Sequence, residues 1–183
     1  MARGSVVSTR DDALALLLEL SAPARLVRHV ELVEEAGERL LARLEELGVE
    51  LDAELVRMGV ILHDAGKVLH PGELTGGGSQ HEVDGERLLL ELGVQPELAR
   101  ICRSHARWRV MPCSLEELSV ALADKLWKGG RSDELERRFV ELVARTSGRE
   151  AWEVLVELDR CFEEIAAGGL DRLARSRQDG PGR

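Results

Sequence analysis

The chain has 183 residues, enough for one domain with its own hydrophobic core, and its 44% hydrophobic and 32% charged residues are typical of a soluble protein. The formal net charge of −9 argues against nucleic acid or an anionic membrane as the main partner, because both bind basic surfaces. No apolar run approaches the roughly 20 residues that span a bilayer, and no signal peptide precedes Arg10, so we expect a cytoplasmic protein.

The three cysteines lack CxxC spacing and indicate reduced, mostly buried thiols.

The first helix predicted to direct a candidate metal ligand into the core covers residues 21–47. Apolar residues recur there at helical spacing, and His29 lies in their stripe, so its imidazole should point into the core. A second helix is predicted over 52–68. Its centre is apolar on all sides, as in a buried helix. His63 and Asp64 follow that apolar segment directly, and both can reach one ion that lies between their directions.

Residues 71–80 are rich in glycine and form the one obvious predicted loop. Ser79 and Glu82 then have the spacing of a capping box, which predicts that a helix begins there. His81 would lie in its first turn, where the helix dipole favours neutral imidazole, the form that binds metals.

Two further helices each direct one such group inward. The first begins near Pro96, a residue suited to an initial turn, and carries His105. The second begins at a capping box formed by Ser114 and Glu117, and Asp124 shares its apolar face.

The rest of the chain is predicted to be helical near 132–145 and 149–167, with a disordered tail over about 176–183. We therefore predict an all-α, single-domain helical bundle with a core over about 20–130 and C-terminal helices over about 131–175. The C-terminal helices should contribute core residues at Val140, Val143, Leu155, Leu158, Phe162 and Ile165.

Six histidines and aspartates on interior faces predict a metal centre. A lone buried histidine is more often a hydrogen-bonded core residue than a ligand, but buried charges need partners, and several helices send such groups inward. Imidazole and carboxylate hold catalytic divalent cations with open positions, which favours metal-activated water attacking phosphorus. The candidate ligands are His29, His63, Asp64, His81, His105 and Asp124.

Lys67 is a candidate for contacting a substrate phosphate. The chain has three lysines among 25 basic residues, and Lys67 lies four residues after His63. In a chain that uses arginine almost everywhere, a lysine here indicates that a compact point charge is required. The alternative is a solvated surface lysine, which would be inert.

In this order and on helices, these residues resemble the HD superfamily of metal-dependent phosphohydrolases over about residues 20–130. The segment from His63 to Lys67, followed by Pro71 and by His81-x-x-x-Gly85, is similar to the "HDxGK…P…HxxxG" run of HD-GYP-type phosphodiesterases. No GYP follows, so the resemblance does not extend to cyclic-dinucleotide hydrolysis. The six-ligand pattern also occurs in a small bacterial group that hydrolyses dinucleoside polyphosphates.

The resemblance implies a fold of the HD-domain type and a role for each residue. His29, His63, Asp64 and Asp124 would hold a first divalent ion of iron, manganese, cobalt or zinc. Asp64 would bridge to a second ion, completed by His81 and His105, and the bridged water would be the nucleophile. Lys67 would contact a non-bridging phosphate oxygen and stabilise the transition state. If only one metal binds, His81 and His105 would instead contact substrate phosphate or act as acid.

Two functions remain as alternatives at this point. The first is a hydrolase of phosphoester or phosphoanhydride bonds in a small soluble substrate, with a nucleotide as the favoured class and Asp64 and Lys67 as catalytic residues. The second is a non-catalytic module of the same fold that senses a nucleotide or binds a protein partner.

Overall fold

A computed structural model describes residues 7–178, and within that range the chain is helical and contains no strand. The predicted all-α fold is therefore confirmed. Ten α-helices follow one another in the order α1 Arg10–Glu19, α2 Ala24–Glu46, α3 Ala53–Leu62, α4 Gln80–Glu91, α5 Pro96–Ala99, α6 Ile101–Arg107, α7 Leu115–Leu126, α8 Asp133–Ser147, α9 Ala151–Ala167 and α10 Gly169–Gln178.

The centre of the bundle is formed by α2, α3 and α7, which pack against one another. The long α2 places its apolar stripe inward, including the fully buried Leu26, Leu40 and Leu44. The short α3 is buried throughout its second half, from Met58 to Leu62, as predicted for a segment that is apolar on all sides. Helix α4 packs on α6, and α6 packs on α7, so each element with a candidate ligand borders another.

The helix predicted over 52–68 is shorter than expected. Helix α3 ends at Leu62, and Asp64 leaves helical geometry with φ −105° and ψ 14°. A 3₁₀ turn over Ala65–Val68 follows. This turn packs on α4, and at Gly66 the two backbones come so close that an added Cβ atom would lie 2.0 Å from the carbonyl oxygen of His81.

The capping box predicted at Ser79 is wrong, although α4 does begin at Gln80. The Ser79 side chain makes no capping hydrogen bond. Glu73, in a second 3₁₀ turn over Pro71–Leu74, takes that role by accepting hydrogen bonds from the backbone N–H groups of Gln80 and His81. The second predicted box is confirmed, because Ser114 and Glu117 cap α7 reciprocally.

The C-terminal helices follow the prediction near 132–145 and 149–167, with two differences. Leu155 was expected in the core but is 47% exposed, because it lines an open groove between α8 and α9 instead of packing in the interior. The predicted disordered tail is wrong for residues 176–178, which belong to α10; residues 179–183 lie outside the described residues. Among the cysteines, Cys102 and Cys161 are buried free thiols, and Cys113 is half-buried.

Two arginines from this C-terminal region bind the carboxyl ends of earlier helices. Arg138 of α8 donates hydrogen bonds to the carbonyl oxygens of Trp108 and, at 2.8 Å, Met111, just beyond α6. Arg172 of α10 is 3% exposed and donates to the carbonyl oxygen of Trp127 at 2.6 Å, at the end of α7. These bonds satisfy carbonyl groups that a helix end leaves without intrahelical partners.

None of the helices within residues 7–178 combines the length and the apolar composition that crossing a lipid bilayer requires.

Candidate metal centre

The six predicted ligands converge on one point in the bundle. His29 comes from α2, His63 ends α3, and Asp64 begins the 3₁₀ turn that follows. His81 lies in the first turn of α4, His105 in α6 and Asp124 in α7. Three sets of these side chains have ligand atoms that all lie within 4.8 Å of one another: His29, His63 and Asp64; His63, His105 and Asp124; and Asp64, His81 and His105.

Asp64 lies between two groups of imidazoles and presents one carboxylate oxygen to each. Its Oδ2 atom is 3.1 Å from His29 Nε2 and 3.5 Å from His63 Nε2. Its Oδ1 atom is 3.2 Å from His81 Nε2 and 3.8 Å from His105 Nε2. A carboxylate placed in this way could contribute one oxygen to a cation on either side.

Asp124 faces the first group from the other side. Its Oδ1 atom is 3.5 Å from His29 Nε2 and 3.6 Å from His63 Nε2. His105 belongs to a set with these groups as well as to the set around Asp64. The family resemblance assigned His105 to a second ion with His81, but His105 could contribute to either set of ligands.

Three of the four histidines are oriented by a hydrogen bond at Nδ1. His63 Nδ1 donates to the carbonyl oxygen of Val60 at 2.7 Å, and His105 Nδ1 donates to that of Ile101 at 3.2 Å. His81 Nδ1 donates to the Glu73 carboxylate. Since these partners only accept, each ring carries its proton on Nδ1 and points the free Nε2 lone pair at the centre, as in histidines that bind metals.

The electrostatics of the cluster keep both carboxylates ionised. Burial alone would raise the pKa of Asp64, but the imidazoles of His63, His29 and His81 outweigh burial and hold this pKa well below its usual value. Burial opposes ionisation of Asp124 too, but the imidazole of His63, whose Nε2 lies 3.6 Å from the carboxylate, again lowers the pKa. Two adjacent carboxylates that remain negative form a site for a cation.

These residues fit a transition-metal ion. Ligand atoms about 2.1 Å from one ion lie about 3.0–4.2 Å apart, and the distances between the imidazole and carboxylate atoms, 3.1–3.8 Å, fall in that range. Asp64 Oδ1 is buried yet accepts no hydrogen bond from any described residue, which is a costly state without a cation. His29 Nε2 and His63 Nε2 face each other at 3.3 Å, as two ligands of one ion would.

Lys67 lies beside this cluster, as its spacing from His63 predicted. Its ammonium donates a hydrogen bond to Asp64 Oδ2 at 2.6 Å, and its side chain is 18% exposed. The charge therefore lies between the cluster and solvent. His70, the fifth histidine of the chain, lies outside the cluster and pairs with Asp84 at 2.7 Å.

Glu73 is the contact that sequence reasoning missed. It belongs to no ligand pattern and lies eight residues before His81, in a segment predicted to be a plain loop. The one available signal was a carboxylate in an otherwise uncharged glycine-rich stretch close to a candidate ligand.

Comparison with known proteins places these residues in a family context. A family model described as the HD domain matches residues 26–127, a segment that contains all six candidate ligands. An uncharacterized protein of the archaeon Methanocaldococcus jannaschii is 31% identical over 141 residues, which cover 69% of this chain and 79% of that protein. No solved structure matches the chain significantly.

Proposed function

The chain belongs to the HD superfamily, most of whose members are metal-dependent hydrolases, and on this basis we propose that it is a phosphohydrolase with one or two divalent transition-metal ions. It cleaves a phosphoester or phosphoanhydride bond in a small phosphorylated compound, and a nucleotide is the substrate class we favour. Asp64 carries this proposal, because its two oxygens face two separate groups of imidazoles.

When bound, the metal supplies a nucleophilic water at neutral pH and neutralises charge on the phosphate. The protein residues supply the rest. Asp64 and Asp124 keep the centre anionic so that it attracts the cation, and the histidines present fixed lone pairs. Lys67 contributes a positive charge at the edge of the centre. A substrate phosphate oxygen can replace Asp64 as the acceptor of the Lys67 hydrogen bond.

The exposure of the ligands indicates from which side a phosphate enters. The side chain of His63 is fully buried, and those of Asp64, His81 and His105 are nearly so. His29 and Asp124 are 19% and 29% exposed. The substrate phosphate therefore approaches across these two residues and the partly exposed Lys67, which leaves the remainder of the substrate outside the bundle.

Metal analysis of protein purified without an affinity tag, followed by a phosphate-release panel of nucleotides and phosphoesters, tests the proposal. We expect one to two equivalents of iron, manganese, cobalt or zinc, and turnover of at least one nucleotide that a chelator abolishes. Asp64→Asn, which keeps the shape of the side chain but not its charge, is the matched negative control. Metal binding and nucleotide binding without turnover would instead support a sensing module.

A further inference from the structure

A single carboxylate holds both the backbone and the ring of His81. Glu73 Oε1 accepts a hydrogen bond from the Gln80 backbone N–H at 3.1 Å, and Oε2 accepts one from the His81 backbone N–H at 3.2 Å. Oε2 also accepts the proton of His81 Nδ1. The Glu73 side chain is 12% exposed, so these contacts are largely shielded from water.

The opposite side of the same ring faces the metal centre. His81 Nε2 lies 3.2 Å from Asp64 Oδ1, the buried oxygen that accepts no hydrogen bond within the described residues. Because an ionised carboxylate can only accept, Glu73 fixes the proton on Nδ1 and leaves the Nε2 lone pair directed at the centre. Glu73, His81 and Asp64 thus form a continuous row from the loop into the site.

The loop is shaped around this carboxylate. A Cβ atom on Gly78 would lie 2.3 Å from Glu73 Oε1 and 2.4 Å from its Cδ, so no side chain fits at position 78 while Glu73 stays in place. At the neighbouring Gly77 an added Cβ would meet nothing within 4 Å. The backbone at 78 therefore packs directly on the Glu73 carboxylate, which keeps Glu73 against His81.

We propose that Glu73 is a positioning residue that orients His81 for the metal beside Asp64 Oδ1. The proposal rests on the proposed function in taking His81 as a ligand. Histidine ligands commonly donate their second ring N–H to a carboxylate or carbonyl, which fixes the tautomer and raises the basicity of the ligand. His63 and His105 use carbonyls of their own helices for this purpose, whereas His81 depends on a loop side chain. Occupancy of the second metal position therefore depends on the loop at 71–79.

Zinc titration of the metal-free protein tests this dependence. In Glu73→Leu we expect the second equivalent of Zn²⁺ to bind about 10–100-fold more weakly while the first is nearly unchanged. Glu73→Gln retains one acceptor and should fall between Glu73→Leu and wild type. Asp84→Asn is the matched control. Asp84 lies on α4, as His81 does, but its carboxylate pairs with His70 outside the centre. An unchanged second equivalent in Glu73→Leu would overturn the proposal.

A second measurement needs no metal. At alkaline pH, where the ring is neutral, nitrogen NMR of the metal-free protein should show His81 protonated on Nδ1 in wild type. We expect a shift toward the Nε2–H tautomer in Glu73→Leu, and retention of the wild-type tautomer would overturn the proposal. If wild type binds no metal, the proposed function fails, but this readout still tests the role of Glu73. A purely structural role in capping α4 would lower the melting temperature without changing the tautomer.

Gly78→Ala and Gly77→Ala provide a route that keeps Glu73 itself. Gly78→Ala should displace the Glu73 carboxylate and weaken binding of the second zinc equivalent, as Glu73→Leu does. Gly77→Ala should bind zinc as wild type does. This pair carries the test if Glu73→Leu does not fold. Equal zinc binding by the two variants would count against the proposal.

Discussion

Gly66 and Gly85 lie backbone to backbone. A Cβ atom on Gly66 would lie 2.7 Å from the amide nitrogen of Gly85, and one on Gly85 would lie 2.9 Å from that of Gly66. Neither has a positive φ, so space rather than backbone conformation requires glycine. The contact presses the turn after Asp64 onto the first turns of α4, and this packing brings Asp64 within reach of His81.

Gly66→Ala should therefore damage both stability and the second metal position. Its Cβ would lie 2.0 Å from the carbonyl oxygen of His81, a backbone atom that cannot rotate away. We expect a loss of at least about 1–3 kcal/mol in the free energy of unfolding, as for overpacked cores, measured by urea denaturation. Gly72→Ala, where an added Cβ would meet nothing within 4 Å, is the control. Similar stability in both variants would contradict the close contact.

Asp64→Asn should remove bound metal and abolish phosphate release. The amide keeps the volume of the side chain but loses the charge that both groups of imidazoles surround. Metal content by mass spectrometry and turnover on the best substrate of the panel check this expectation. Asp133→Asn, at an exposed position on α8, should behave as wild type. Full activity in Asp64→Asn would eliminate the proposed centre.

Substitutions of His81 and His105 should differ in their effect on the number of bound metal ions. His81 belongs to one set of potential ligands, so His81→Ala should retain about one equivalent. His105 belongs to two sets, and His105→Ala should also weaken the remaining ion. Anomalous scattering from crystals would locate the ions directly. A single ion in wild type, remote from both histidines, would assign them to substrate contact instead.

Lys67→Met tests whether the ammonium acts on substrate. We expect near-normal metal content and a fall in kcat/KM of about 10²–10³, the range for loss of one preorganised electrostatic donor. Lys128→Met, at an exposed position, should change activity by less than about twofold. Loss of metal in Lys67→Met would show that the ammonium instead holds Asp64 in position, in line with the hydrogen bond to its Oδ2 atom.

The sequence predicted the elements that local pattern controls. The apolar stripe around His29 fixed which face of α2 is buried, and the capping box at Ser114 located the start of α7. Membership in the HD superfamily is confirmed, and the six candidate ligands do converge, although their role as ligands stays a prediction. Polar groups on buried helix faces need partners, and in a bundle of this size the available partners are one another. The helical pattern alone was therefore enough to predict that they meet.

The features that were not predicted depend on contacts between distant segments. Residues 52–68 have a continuous helical pattern, but the helix breaks at Asp64 and Gly66 packs on the backbone of α4, a contact that no local pattern shows. The cap of α4 comes from Glu73 rather than the local Ser79. Periodicity placed Leu155 in the core, but it could not show how far the neighbouring α8 covers that part of α9, where Leu155 lines an open groove.

Through the bonds from Arg138 and Arg172, helices outside the family segment contribute to the stability of that segment. That segment ends at residue 127, yet the carbonyl groups just beyond α6 and α7 are satisfied by guanidinium groups 30 and 45 residues further along the chain. A protein truncated after Gly130 would leave those carbonyls, next to the helices of His105 and Asp124, without their donors. Loosening of α8 or α10 would thus be transmitted to the ligand geometry, and changes far from the ligands in sequence can alter metal retention.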